Sequence, residues 1–348
     1  MTERKMARIV QVGEINPIVG ADAIEVASVG GWKVVVKKGE YRTGDLAVYC
    51  EIDSWIPHDI APFLSKGQVP REYNGVKGER LKTVRLRKQI SQGLLLPRQI
   101  VLDKVAEIHL DMDVTELLGI QKWEAPIAAN MVGIVRGNFP SFIPKTDQER
   151  VQNLVSEIQE WANSDDTDLA WEVTEKLDGS SMTVYLHDGV FGVCSRNIDL
   201  VETPDNIFWK TARSLDLENI MRNSLPFNYS SLAFQGELVG NGIQGNKYNM
   251  SGHQYYVYDI YDIAAGRYLT PIDRWVVCDA LKLMHVPILS MRGPLTPEHD
   301  VSRILEWAEG KSKLAADVER EGIVFKNCAD GSVSFKAISN KFLLSGGE

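Results

Sequence analysis

Short runs rich in β-branched and aromatic residues dominate the first third of the chain. Residues 8–12, 24–29, 32–36 and 46–50 are such runs, and 83–87 and 93–96 add two more. Gly, Asn-Pro and Thr-Gly positions separate them, and these residues favour turns because they supply positive φ or preset it. Five or six short strands within about 100 residues predict a small barrel, and an OB-type barrel is a common solution that binds nucleic acid.

The pattern changes after residue 145. Thr146 and Glu149 have the spacing of a capping box. Val151, Leu154, Val155, Ile158 and Trp161 follow at helical spacing, so a helix is predicted from Thr146, ended by Asn163-Ser164-Asp165-Asp166. Beyond it, residues 182–186 and 190–194 flank His187-Asp188-Gly189, a hairpin signal. Residues 323–326 and 333–336 flank a turn around Asp330-Gly331. Thr270-Pro271 opens a helix to about Met284, and residues 301–308 form another. Strands mixed with a few helices predict an α+β class. Residues 101–145 are mixed and hold Pro126, Pro140 and Pro144, so the domain connection belongs there. The expected division is a barrel over 1–120, a connection over 121–145 and a second domain over 146–348.

Composition narrows the function classes. The four cysteines (Cys50, Cys194, Cys278, Cys328) form no CxxC or Cys/His cluster, which argues against a structural zinc site and for a reducing compartment. No apolar run has the length of a signal peptide core or a membrane span, so a soluble, cytoplasmic protein is expected. The net charge of −9 looks wrong for a partner of nucleic acid, but it is unevenly spread. Residues 1–150 carry 21 Lys+Arg against 19 Asp+Glu, and residues 151–348 carry 17 against 28. The basic excess is local: Arg71, Lys77, Arg80, Lys82, Arg85, Arg87 and Lys88 crowd together. Lys82, Arg85, Arg87 and Lys88 are the candidate contacts to a phosphate backbone, on a strand with one wet, basic face.

The candidate chemistry lies in the acidic half. Lys176-Leu177-Asp178-Gly179 follows the apolar strand at 171–175. Four segments come after it in order: Ser195-Arg196-Asn197, then Phe234-Gln235-Gly236-Glu237-Leu238-Val239-Gly240, then Tyr255-Tyr256-Val257-Tyr258-Asp259, then Glu321-Gly322-Ile323-Val324-Phe325-Lys326 with Ser334-Phe335-Lys336. Any one segment is weak evidence, because short motifs recur by chance. Together and in order, they resemble the motifs of the covalent nucleotidyltransferase superfamily of RNA ligases, DNA ligases and mRNA capping enzymes. The Phe-Gln-Gly-Glu and Ser-Arg-Asn segments resemble RNA ligases, and a β-rich domain placed first resembles the Naegleria-type RNA ligases.

That resemblance implies an N-terminal OB domain followed by a nucleotidyltransferase (ATP-grasp-like ligase) domain of antiparallel sheets with flanking helices. It implies an ATP-dependent ligase that seals 3′-OH/5′-phosphate breaks in RNA, with nicked duplex as the expected substrate and a monomer as the expected state. By the same resemblance, Lys176 accepts AMP. Asp178, Glu237 and Glu321 hold Mg²⁺ or Mn²⁺ or its waters, for which hard carboxylate oxygens are suited. Lys326 and Lys336 contact phosphate. Glu175, Arg196 and Glu237 contact the nucleotide, and Tyr258 or Tyr256 stacks on adenine, with Tyr258 preferred. Two positions depart from the nearest patterns. Ser181 stands where one RNA ligase family has asparagine. Ile338 stands where a second lysine often falls, and Lys341 is its possible substitute. Two readings compete with the RNA ligase: a DNA nick ligase, and an inactive RNA-binding protein on the same fold.

Overall fold

The computed structural model describes residues 4–124, 134–164, 169–226 and 229–345. The chain divides into two compact units. One comprises Met1–Pro126 with Gln152–Val155 and Leu343–Glu348, and the other Ile127–Val151 with Ser156–Phe342.

The first unit is built from short antiparallel pairings. Strand Leu46–Cys50 lies between Ala7–Gln11 and Leu94–Pro97. Ile15–Pro17, Ile24–Val29 and Trp32–Lys37 form a meander. Ser54–Pro57 lies between Gln121–Lys122 and Val76–Arg80, with Arg71–Tyr73 outside. Ala7, Ile9, Val48, Cys50 and Leu96 of the first sheet and Ile56 of the third share one apolar core. Alternation along each strand turns one side chain in two toward that core. The strands at 54–57, 71–73 and 76–80 were not anticipated, because their polar residues and prolines hide the period-two pattern. The basic run also differs from expectation. Val84–Leu86 and Gln89–Ser91 form a two-stranded hairpin, with Arg87 and Lys88 left-handed at its turn (φ 49° and 70°). Arg87 and Lys88 therefore stand at a hairpin tip rather than along a strand face.

The second unit holds two sheets. Among the described residues, one sheet has seven strands in the order Val135–Asn138, Ile198–Leu200, Val190–Cys194, Ser180–His187, Leu232–Gly240, His253–Asp262, Arg267–Tyr268. The other has five, in the order Glu149–Arg150, Ser334–Ile338, Gly322–Asn327, Ala170–Lys176, Ile288–Pro294. Among the described residues, the strand pairings in the two sheets are antiparallel except that of Glu149–Arg150 with Phe335–Lys336. Helix Ile207–Ser214 packs Phe208, Trp209 and Ala212 into the core of the larger sheet, and Asn206 caps it by accepting from Phe208 N and Trp209 N. Aromatic rings fill the core of the smaller sheet. Phe325 and Phe335, cross-strand partners, stack with centroids 4.5 Å apart, and Trp171 meets Phe335 edge-on. Each such burial contributes on the order of 2 kcal/mol.

The helix expected from Thr146 begins later. The described helix is Val155–Ala162, and Glu149–Arg150 is a strand instead. The parallel pairing with Phe335–Lys336 overrides the capping pattern: the Thr146 hydroxyl meets Tyr258 Oη at 3.1 Å, and Glu149 accepts from Arg150 N. The helix opened by Thr270-Pro271 stops at Leu281, because Lys282 is left-handed (φ 56°). Strand Val135–Asn138 lies inside the stretch read as a connection, and Asp165 and Asp166, expected to end the first helix, lie outside the described residues.

Candidate active site

The chain passes from one sheet to the other in three residues, and this crossing builds the site. Lys176 ends Ala170–Lys176 in the smaller sheet, and Ser180 begins Ser180–His187 in the larger. Between them Leu177 is buried against Val239, Tyr248, Tyr256 and Val286, which anchors the turn. Gly179 lies so close to the next strand that a Cβ there would stand 2.4 Å from Leu238 O. Only glycine permits that approach without a shift. Its N–H donates to Glu237 Oε1 at 3.0 Å, and Asp178 N donates to Tyr248 Oη at 2.8 Å.

Three carboxylates surround Lys176. In register, Lys176 faces Gly322, so Glu321 reaches its ammonium, with Nζ and Oε1 2.6 Å apart. Burial alone would pull the Lys176 pKa down. Glu321, Glu237 and Asp178 outweigh it and hold the pKa above the ordinary lysine value. The same crowding acts on Glu237, whose carboxyl is pushed up to about 8, first by burial, with Glu321 and Asp178 adding and Lys176 opposing. Three carboxylates thus lie around one amine, and their hard oxygens are the donor type for Mg²⁺ or Mn²⁺. Among the described residues, no three such side chains already stand in a ligating arrangement.

The other expected residues divide. Lys336 Nζ meets Asp147 Oδ1 at 3.1 Å, and Arg196 Nη2 lies 3.9 Å from the same oxygen. Asp147 therefore brings Lys336 and Arg196 to one place, and the Lys336 charge acts on Glu321. Glu175 is buried, with Oε2 accepting from Lys313 N at 2.7 Å and Oε1 unpartnered among the described residues. Burial raises its pKa. The two tyrosines differ. Tyr258 is half-buried, with its Oη 3.2 Å from the Oγ of Ser181, whose cross-strand partner is Glu237. Tyr256 is buried in the Leu177 cluster and donates to Gln254 Oε1 at 2.6 Å.

Lys326 is not brought to this cluster. Its side chain is 5% exposed and ion-paired with Asp259, in a buried network with Arg274, Glu172 and His285. Its position on Gly322–Asn327 turns it into the core, where an amine committed to Asp259 cannot reach phosphate, so the expected phosphate contact is corrected. Lys341 pairs with Glu309 at 2.8 Å on the surface. Lys82, Arg85, Arg87 and Lys88 are exposed in the first unit. Several residues at the site had escaped the sequence reading. Asp147 and buried Arg150 flank Lys336, the latter as its register partner. Tyr248, Lys247 and Gln244 approach the Lys176 turn from the segment after Gly240. The glycine- and asparagine-rich run at 240–249 was the available signal, since such composition marks a tightly turned loop.

Comparisons with known proteins bear on the fold and the family. One family profile, described as an OB-fold domain, matches residues 6–98, and another, described as RNA ligase, matches residues 169–338. No curated protein sequence matches the chain. Among solved structures, a point mutant of Naegleria gruberi RNA ligase in its apo form is 47% identical, covers 99% of this chain and 98% of its own, and superposes with a TM-score of 0.87. A second mutant of that ligase, solved with AMP and Mn, is 47% identical over 98% of each chain, with a TM-score of 0.86. A third, solved with ATP and Mn, is 47% identical over 97% of this chain and 98% of its own, with a TM-score of 0.85.

Proposed function

The chain belongs to the RNA ligase family, and from that premise we propose that Lys176 takes AMP from ATP and that the enzyme passes it to a 5′-phosphate in RNA. The observation that carries the assignment is the position of Lys176, at the crossing between two sheets and ringed by Asp178, Glu237 and Glu321.

The activity is that of an ATP-dependent RNA ligase, with a divalent metal as cofactor. The Lys176 amine attacks the α-phosphorus of ATP, the bond to the β-phosphate oxygen breaks, and pyrophosphate leaves. The adenylyl group then moves from lysine to the 5′-phosphate at the break. Attack by the 3′-OH forms the phosphodiester and releases AMP. For the first step the lysine must lose its proton, and here it is held as an ammonium against Glu321. A divalent cation on Asp178, Glu237 and Glu321 would draw off the charge that favours the ammonium and would neutralise phosphate oxygens. Lys336, with Arg150 beside it, supplies cationic charge to the polyphosphate, and Arg196 serves the ribose or the 5′-phosphate. Tyr258 is the adenine-stacking residue, because its ring is not sealed into the apolar cluster as Tyr256 is. Glu175 offers an unpartnered acceptor to the base.

In this reading, residues 1–120 serve substrate binding and residues 146–348 hold the nucleotidyltransferase, joined by 121–145. The exposed Arg85, Arg87 and Lys88 hairpin, with Lys82, tracks the backbone of a nicked RNA duplex. The enzyme acts as a cytoplasmic monomer. Among the described residues, no helix is long and apolar enough to cross a membrane.

The test is incubation with α-labelled ATP and Mg²⁺ or Mn²⁺, followed by denaturation. Label should stay on the wild-type chain and vanish in Lys176→Ala. Label retained in Lys176→Ala refutes the nucleophile. Sealing nicks with RNA or DNA at the 3′-OH end separates this reading from a DNA ligase, and lack of label under every metal condition favours an inactive binding protein.

A further inference from the structure

The segment after Gly240 holds the Lys176 turn from outside. Tyr248 Oη accepts from Asp178 N at 2.8 Å, and Gln244 Nε2 donates to Gly179 O at 3.4 Å. The segment is itself tightly wound. Gln244, Gly245 and Asn246 are all left-handed, at φ 44°, 68° and 51°. Asn246 locks that winding, with Nδ2 donating to Asn241 Oδ1 (3.0 Å) and Met250 O (3.1 Å) and Oδ1 accepting from Met250 N (3.0 Å). Lys247 projects from it. Its ammonium ion-pairs with Asp178 Oδ2 and lies 4.6 Å from the centroid of the Phe342 ring.

Two lysines thus divide the site's carboxylates: Lys176 holds Glu321, and Lys247 holds Asp178. We propose that Lys247 is a resident counter-ion of the adenylylation site, which neutralises Asp178 in the metal-free enzyme and yields it when a divalent cation binds. The inference rests on the reading of Asp178 as a metal-holding residue. Exposure decides which partner moves. The Asp178 side chain is 10% exposed and fixed by its turn, whereas that of Lys247 is 37% exposed. A long, flexible side chain can swing into solvent at little cost, and the buried carboxylate cannot. The ammonium spares Asp178 from standing as an uncompensated buried charge beside Glu237 and Glu321. It also explains why the three carboxylates are not gathered around one point as they stand. The cation must therefore compete with Lys247 for Asp178, and its apparent affinity is reduced accordingly.

The test is Mn²⁺ titration of the full chain without nucleotide, read by electron paramagnetic resonance of free Mn²⁺. Lys247→Gln should tighten Mn²⁺ binding by about two- to fivefold, the upper range for removing a competing, partly exposed ion pair. Lys247→Arg keeps the charge and should stay within about twofold of wild type. Asp178→Asn should weaken Mn²⁺ binding, and in that background Lys247→Gln should have no further effect. Unchanged or weaker binding in Lys247→Gln, with Asp178→Asn still weakening it, overturns the counter-ion proposal alone. No effect of Asp178→Asn overturns the metal reading beneath it.

Discussion

Removing Arg274 should cost the second unit a large part of its stability. Arg274, on helix Pro271–Leu281, is 1% exposed. It ion-pairs with Glu172, lies 3.5 Å from Asp259, and donates from Nε to His285 Nε2 at 2.9 Å. Asp259 also pairs with Lys326, so two cations balance two carboxylates in a dry setting. Arg274→Met keeps the approximate length but leaves the cluster with one uncompensated negative charge. Breaking a buried pair from one side costs about 3–5 kcal/mol, mostly from the stranded charge. For a unit of about 200 residues, each kcal/mol lowers Tm by about 2–4 °C, so a fall of about 6–20 °C is expected. The assay is thermal unfolding of the full chain, followed by near-ultraviolet circular dichroism. Adding Glu172→Gln to Arg274→Met should recover part of the loss, because it deletes the stranded charge. A Tm within about 2 °C of wild type for Arg274→Met, or a double variant no more stable than the single, would refute the reasoning. Glu172, Asp259 and Lys326 lie on the strands that also carry or adjoin Lys176, Tyr258 and Glu321, so the self-adenylylation rate should fall in Arg274→Met and recover with the second substitution.

Three further outcomes follow from named contacts. His285 is held neutral, its pKa lowered to about 3 by burial and then by Arg274, while an unfolded histidine titrates near 6.5. Between those values the unfolded state binds more protons, so stability should fall as pH drops below about 6.5, by about 2 kcal/mol at pH 5. Thermal melts from pH 7 to 5 check this, and an equally steep loss in His285→Gln would contradict it. Gly179→Ala sets a Cβ against Leu238 O at 2.4 Å, which should displace the Lys176 turn and slow self-adenylylation by about tenfold or more. Labelling at the wild-type rate would show that the close approach is unnecessary. Arg85→Glu with Arg87→Glu should weaken nick sealing more than self-adenylylation and flatten its salt dependence. Equal loss in both steps would remove the hairpin from substrate binding.

Much of the site was legible because its chemistry is tied to short, ordered segments. Lys176 ends its strand, Asp178 and Glu321 directly precede Gly179 and Gly322, and Glu237 directly follows Gly236 within its strand, so each is marked by a short local pattern of residue types. The hairpins at 187–189 and around 330 were equally visible, because Asp-Gly supplies its turn locally. The segment from Thr146 was misread for the opposite reason. Its caps are local, but its partner, strand Ser334–Ile338, lies almost 190 residues away in sequence, so only the folded sheet could turn it from helix to strand. Lys326 shows the same limit. Its residue type fits a phosphate contact, and only packing reveals that its amine is spent on Asp259. Asp147 and Lys247 carry no motif, and they matter through what they face across the fold. The sequence by itself thus pointed to the class of enzyme and named a candidate nucleophile with its carboxylates, since the order of the motifs is written in residue type. The tertiary structure alone decided which cation meets which carboxylate, because a charge pair is set by long-range register and burial rather than by neighbours along the chain.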